Sequence, residues 1–162
     1  LIAMRSTKAL SLLSLCRLIA AGSLCLAASS AAVAQFSMPL VELTAGMYRI
    51  NAELAATQEN RMVGLMQRRQ MTANHGMVFV FTETERHCMW MKNTLLPLSV
   101  AFMDEEGKIL NIEDMQPQTE DNHCAARPAR FALEMNKGWF KEKGISAGTR
   151  INGVEPLIRA AR

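Results

Sequence analysis

The chain has 162 residues, 49% of them hydrophobic, with 18 basic and 15 acidic residues and a formal net charge of +3. The surplus sits at the front, where Arg5, Lys8 and Arg17 meet no acid before Glu42, so residues 35–162 carry 15 basic (18 − 3) and 15 acidic residues. A neutral body lacks the basic footprint on which nucleic-acid binding rests, and its length bounds one domain with a core that needs no disulfide to fold.

Residues 1–34 read as an export signal. A basic start precedes the apolar run Leu18–Ala28, and Ala32-Val33-Ala34 fits a small-x-small cleavage site before Gln35. The run falls short of the ~20 residues of a membrane-spanning helix. The expected product is a periplasmic or secreted protein, cleaved near Ala34–Gln35 and without a stable membrane span. The alternative is a retained anchor. Cys16 and Cys25 follow Leu15 and Leu24, not the small residue of a lipoprotein signal. Only Cys88 and Cys124 then remain, and an oxidising compartment favours their pairing. Such a bridge needs Cα atoms within about 7 Å.

Residues 35–40 are expected to form a flexible start and 41–162 a single domain. Val41–Leu43 and Tyr48–Leu54 read as strands; in the second, Tyr48, Ile50, Ala52 and Leu54 alternate with polar residues. Thr57 is placed to cap a helix over Gln58–Arg69, with Met62, Leu65 and Met66 on one face. Gly64 inside that helix costs about 1 kcal/mol relative to alanine, and close backbone approach is its expected reason. Gly76–Phe81, His87–Thr94, Leu98–Met103 and Lys108–Met115 read as further strands, the last two joined by a hairpin through Gly107. Gln116–Arg127 reads as a loop, Arg130–Met135 as a strand, Lys137–Lys143 as a turn or short helix, and Thr149–Val154 as the last strand. The sum is a mainly β, antiparallel domain of sandwich, jelly-roll or barrel type with one or two short helices.

If His87–Thr94 is a strand, His87, Met89, Met91 and Asn93 share one face and Cys88, Trp90, Lys92 and Thr94 the other. His87, Met89 and Met91 would suit Cu(I). Methionine is also a good filler of irregular cores. Met47, Met62, Met66, Met71, Met77, Met103, Met115 and Met135 fall in runs that read as core, so a metal site is the alternative and packing the main reading. No zinc-type ligand pair, nucleophile elbow or phosphate-binding loop is present in the sequence, and no cofactor is predicted. Glu134, between Leu133 and Met135, is either an acid on the polar face of a strand or one held in apolar surroundings with a raised pKa.

Four segments, "RMVGLMQRR" (61–69), "GMVFVF" (76–81), "MWMKNTLLPLSVAF" (89–102) and "ARFALEMNKGWF" with "GISAG" (129–148), occur in an order and spacing that resemble the domain of unknown function 192 family, across about Val41–Val154. The resemblance implies a compact, mainly β, commonly exported domain and brings no established activity. The motif positions it marks are Arg61, Gly64, Leu65, Met66 and Arg68, then Trp90 to Thr94, then Leu133, Glu134 and Gly138. Many members carry an aspartate where this chain has Ser99, which argues against an essential acid at that position. The candidate ligand-binding residues are Arg61, Arg68, Trp90, Lys92, Asn93, Thr94 and Glu134, set over apolar walls. The leading reading is a monomeric binding module for an envelope ligand such as a saccharide, or for a protein partner. The alternatives are an envelope-acting enzyme using Lys92 and Glu134, and copper handling through His87, Met89 and Met91.

Overall fold

A computed structural model describes residues 38–161, and the expected export segment, 1–34, lies outside the described residues. Among the described residues nine strands form: β1 (Leu40–Ala45), β2 (Tyr48–Ala55), β3 (His75–Glu85), β4 (Cys88–Met89), β5 (Leu98–Met103), β6 (Ile109–Met115), β7 (His123–Cys124), β8 (Ala129–Asn136) and β9 (Ile151–Asn152). Two short α-helices, α1 (Gln58–Val63) and α2 (Trp139–Glu142), and a 3-10 helix at Glu155–Ala161 complete the domain. Seven strands make one curled sheet in the order β6-β5-β8-β3-β2-β1-β9, and β4 pairs with β7 apart from it. The mainly β expectation holds, on the half-barrel side of its alternatives. One neighbouring pair, β2–β3, is parallel, because α1 carries the chain back between them.

The two ends of the sheet meet through the backbone. Ile109 N–H donates to the Thr149 carbonyl and Ile151 N–H to the Gly107 carbonyl, each at 2.8 Å. The face of the sheet turned into this curl holds Leu43, Ile50, Val78, Ala101, Leu133 and Ile151, with Trp139 and Phe140 of α2 packed against them. The other face holds Met77, Phe79, Val100, Phe102 and Ala132 under Leu65 and Met91. Both faces are therefore covered, so β3, β5 and β8 read as nearly unbroken apolar runs. Of the expected flexible start, Met38 packs into the second cluster and the Pro39 carbonyl accepts from Leu54 N–H at 2.8 Å.

Three expectations change. The helix expected over 58–69 stops at Val63, because Gly64 caps it with φ 49°, a region open to glycine and costly for other residues. His87–Thr94 is a strand only at Cys88–Met89; beyond that it turns, with Asn93 at φ 56°. The loop expected at 116–127 contains β7. Gly76 is needed for a different reason. A Cβ there would run into the Glu134 carbonyl oxygen and the Met135 sulfur, so glycine lets β3 and β8 approach where Glu134 sits.

Candidate functional site

The site is built on the outer face of β3 and β8, between α1 and the turn after β4. Thr57 caps α1 by accepting from Asn60 N–H at 3.1 Å. Arg61 then ties the helix to the sheet: its Nη1 donates to the carbonyls of Ala56 and Val80, the latter at 2.9 Å. On the opposite side the Trp90–Thr94 turn is stitched down by backbone bonds. Met91 N–H donates to the Thr119 carbonyl, Gln118 N–H to the Thr94 carbonyl and Gln67 N–H to the Asn93 carbonyl, each at 3.0 Å. The Cys88–Cys124 disulfide, with Cα atoms 3.9 Å apart, holds the strand pair from which the turn departs.

Between these walls lies a groove of about 640 Å³. Met62, Val63, Met66, Phe79, Phe81 and Met89 make its apolar lining; Gln58, Arg61, Lys92 and Asn93 are its polar groups. Trp90 lies along it, 47% exposed, with Lys92 Nζ 5.3 Å from the ring centroid. Below is a recess of about 30 Å³ that shares Arg61, Phe79, Met89 and Trp90 with the groove and adds Thr94 and Glu134. Glu134 is 4% exposed, and its carboxyl makes no side-chain hydrogen bond or ion pair among the described residues. Burial alone pushes the carboxyl up to about 8, because nothing nearby repays the loss of water around its charged form. Of the two environments open to Glu134 in the sequence, the apolar one is realised.

Six of the seven candidate residues line this groove or its recess: Arg61, Trp90, Lys92, Asn93, Thr94 and Glu134. Lys92 stands at the rim, where its Nζ lies 3.4 Å from Glu120 Oε1, and Glu134 lies at the floor. Arg68 goes elsewhere. Its Nη2 lies 2.6 Å from Glu53 Oε2, and His75 Nε2 lies 3.1 Å from Glu53 Oε1, beside a separate cavity of about 360 Å³. Glu53, a buried acid, was not singled out from the sequence. The alternation of Tyr48–Leu54 puts it on the polar face, and only the fold brings Arg68 and His75 over it. Removing Arg68 leaves that carboxylate buried with one partner, so Arg68→Ala is expected to cost roughly 1–3 kcal/mol in urea unfolding, at the partly exposed end of the range for broken pairs. An unchanged midpoint would make the pair energetically idle.

The three side chains of the copper alternative are engaged in packing about the outer-face core. Met91 is fully buried in the outer-face core, Met89 lines the groove, and the His87 ring stacks on Phe81 at 3.7 Å with Nε2 2.8 Å from the Glu83 carbonyl oxygen. The face-sharing expectation fails because the chain leaves the extended state at Trp90. Two methionines read as core are exposed instead: Met47 in the β1–β2 turn and Met62 at the groove. Ser99 is buried, donates to Asp114 Oδ1 at 2.5 Å and accepts from Gly138 N–H at 2.9 Å, so at this position it serves the packing of β5, β6 and the start of α2.

The motif segments that carry this groove are those of a known family. Residues 41–153 match the domain of unknown function 192, described as an uncharacterized ACR. The chain belongs to that family. Among solved structures, a candidate transcription regulator from Sinorhizobium meliloti 1021 is similar at 39% identity and TM-score 0.66, over 72% of this chain and 93% of its own. A protein of unknown function from Novosphingobium aromaticivorans DSM 12444 is similar at 29% identity and TM-score 0.68, over 71% of this chain and 86% of its own. No curated protein matches the chain. Among the described residues of this family member, no helix is long and apolar enough to cross a membrane.

Proposed function

We propose that this member of the family is an exported, monomeric binding module that holds a small envelope-associated ligand, a saccharide, in the groove between α1 and the Trp90–Asn93 turn. The observation that carries the reading is the half-exposed Trp90 beside a groove with apolar walls and few polar groups. An indole face left open to solvent is a stacking platform for a ring with one apolar side. Export is supported by the character of residues 1–34. The neutral balance of residues 35–162 argues against nucleic acid as the ligand, although one relative is described as a candidate transcription regulator.

An enzymatic variant of this reading has one observation in its favour. A carboxyl held protonated near neutral pH is suited to proton donation. Lys92 is a poorer second group, standing at the rim and already beside Glu120. Thermal unfolding and tryptophan emission against a panel of envelope saccharides test the binding reading. Trp139 is buried on the other face, so an emission change lost in Trp90→Phe reports the groove. A ligand should raise the midpoint of the native protein and much less that of Trp90→Ala. Equal shifts in both proteins would remove the groove from the account, and turnover of the saccharide would favour the enzyme.

A further inference from the structure

We propose that the groove's ligand is acidic: a uronate-type saccharide whose carboxylate sits in the groove with Arg61 and Lys92 while an oxygen of its body enters the Glu134 recess. The proposal rests on the saccharide reading above and adds the ligand's charge.

The charge inventory of the groove is one-sided. Arg61 and Lys92 are its charged lining groups; Glu120 flanks Lys92 from outside the lining, and the first carboxylate within the site is Glu134 in the recess. Arg61 spends its guanidinium on neutral acceptors, the carbonyls of Ala56 and Val80 and, at 3.4 Å, the Thr82 hydroxyl. Burial lowers its pKa, as for a cation drawn out of water without a counter-charge. Lys92 has only an exposed partner, Glu120, at 3.4 Å, and such pairs are weak, screened and readily exchanged. A ligand carboxylate would supply the anion that Arg61 lacks.

The floor fits the same ligand. Glu134 is bordered in the recess by Arg61 of α1 and Thr94 of the turn, and flanked in the sheet by Met77 of β3 and Val100 of β5. With its pKa raised to about 8 it is a neutral acid at neutral pH, a hydrogen-bond donor. The recess of about 30 Å³ has room for one or two water-sized groups, such as a ligand hydroxyl or ring oxygen. An amino sugar would instead bring a third cation into the groove beside Arg61 and Lys92, and a neutral sugar would leave Arg61 uncompensated.

The test uses matched short oligosaccharides of a hexuronate, a hexose and a non-acetylated hexosamine, titrated calorimetrically against the folded protein. The hexuronate is expected to bind about tenfold or more tighter than the hexose, as for a charge-assisted hydrogen bond, with the hexosamine weakest. Lys92→Glu should reduce that preference or invert it toward the hexosamine, and added salt should erode it. Above pH 8 Glu134 ionises and hexuronate affinity should fall in the native protein, while Glu134→Gln, still a donor, should keep its affinity. Equal binding of the three sugars, abolished by Trp90→Ala, would overturn the acidic ligand and leave the saccharide groove standing. Failure of all three at millimolar concentration would overturn both.

Discussion

Raising the pH from about 5 to about 9 is expected to weaken the native fold by up to roughly 5 kcal/mol, and Glu134→Gln is expected to remove that loss. Burial pushes the Glu134 carboxyl from its ordinary 4.5 up to about 8. Between those values the unfolded chain has released this proton and the folded chain still holds it. The native state therefore binds more protons, and stability falls as pH rises through the window. Below 4.5 both states are protonated, and above about 8 both are ionised, so the loss accumulates only in between. Each unit of separation corresponds to about 1.4 kcal/mol. The roughly 5 kcal/mol is an upper figure, since water entering the recess would shelter part of the charge. Glutamine keeps the shape and neutrality of the protonated acid. Urea unfolding of both proteins across the window measures the effect, and parallel curves would mean that Glu134 ionises in the folded protein without cost. The same titration bears on function. Below pH 8 the groove floor carries a neutral hydrogen-bond donor at Glu134.

What the sequence revealed divides along a physical line. Strands covered on both faces announce themselves as apolar runs, so Gly76–Phe81, Leu98–Met103 and Arg130–Met135 fall inside β3, β5 and β8. Elements whose shape depends on distant partners were not legible. The Cys88–Cys124 bridge was expected, but the pairing of the two-residue strands it joins, β4 and β7, 36 positions apart, was not. The soft-donor face of His87, Met89 and Met91 was a consequence of extending a strand through Trp90, where backbone bonds to Thr119, Gln118 and Gln67 impose a turn. Gly64 was read inside a helix that it ends. Lys92, Asn93 and Thr94 stood out as polar side chains at a strand's end next to a Pro-containing turn, Glu134 as an acid among apolar neighbours, and Arg61 and Trp90 as positions of the family's motif segments. Glu53 was missed because a charge on an alternating strand reads as solvated, and the side chains that cover it, Arg68 and His75, come from later in the chain.

Opening the Cys88–Cys124 bridge is expected to cost about 3–4 kcal/mol, the chain-entropy value for a loop of this length, and to disturb the groove before it disturbs the core. The bridge closes 36 residues that include β5, β6 and the Trp90 turn, so its loss enlarges the unfolded ensemble. Locally it leaves β4 and β7 with two paired positions, the Ala125 N–H bond to the His87 carbonyl at 2.9 Å, the Arg86 Nε bond to the Ala125 carbonyl at 2.8 Å, and the Asn111 side chain of β6, which donates to the Cys124 carbonyl at 3.1 Å and accepts from Ala126 N–H at 2.8 Å. A two-stranded pair that short is marginal in water without further support. Cys88 itself lines the groove, and Trp90 follows two residues later. The paired Cys88→Ser and Cys124→Ser variant should therefore unfold at lower urea and show altered Trp90 emission under native conditions, with the buried Trp139 signal unchanged. Ligand affinity at the groove should fall with it, because the Trp90 platform would have to be ordered at the moment of binding. An unchanged urea midpoint would remove the bridge as a stabilising element. A changed midpoint with an unchanged Trp90 signal would mean that the turn is held by its backbone bonds to residues 67, 118 and 119, and that the disulfide protects the fold without shaping the site.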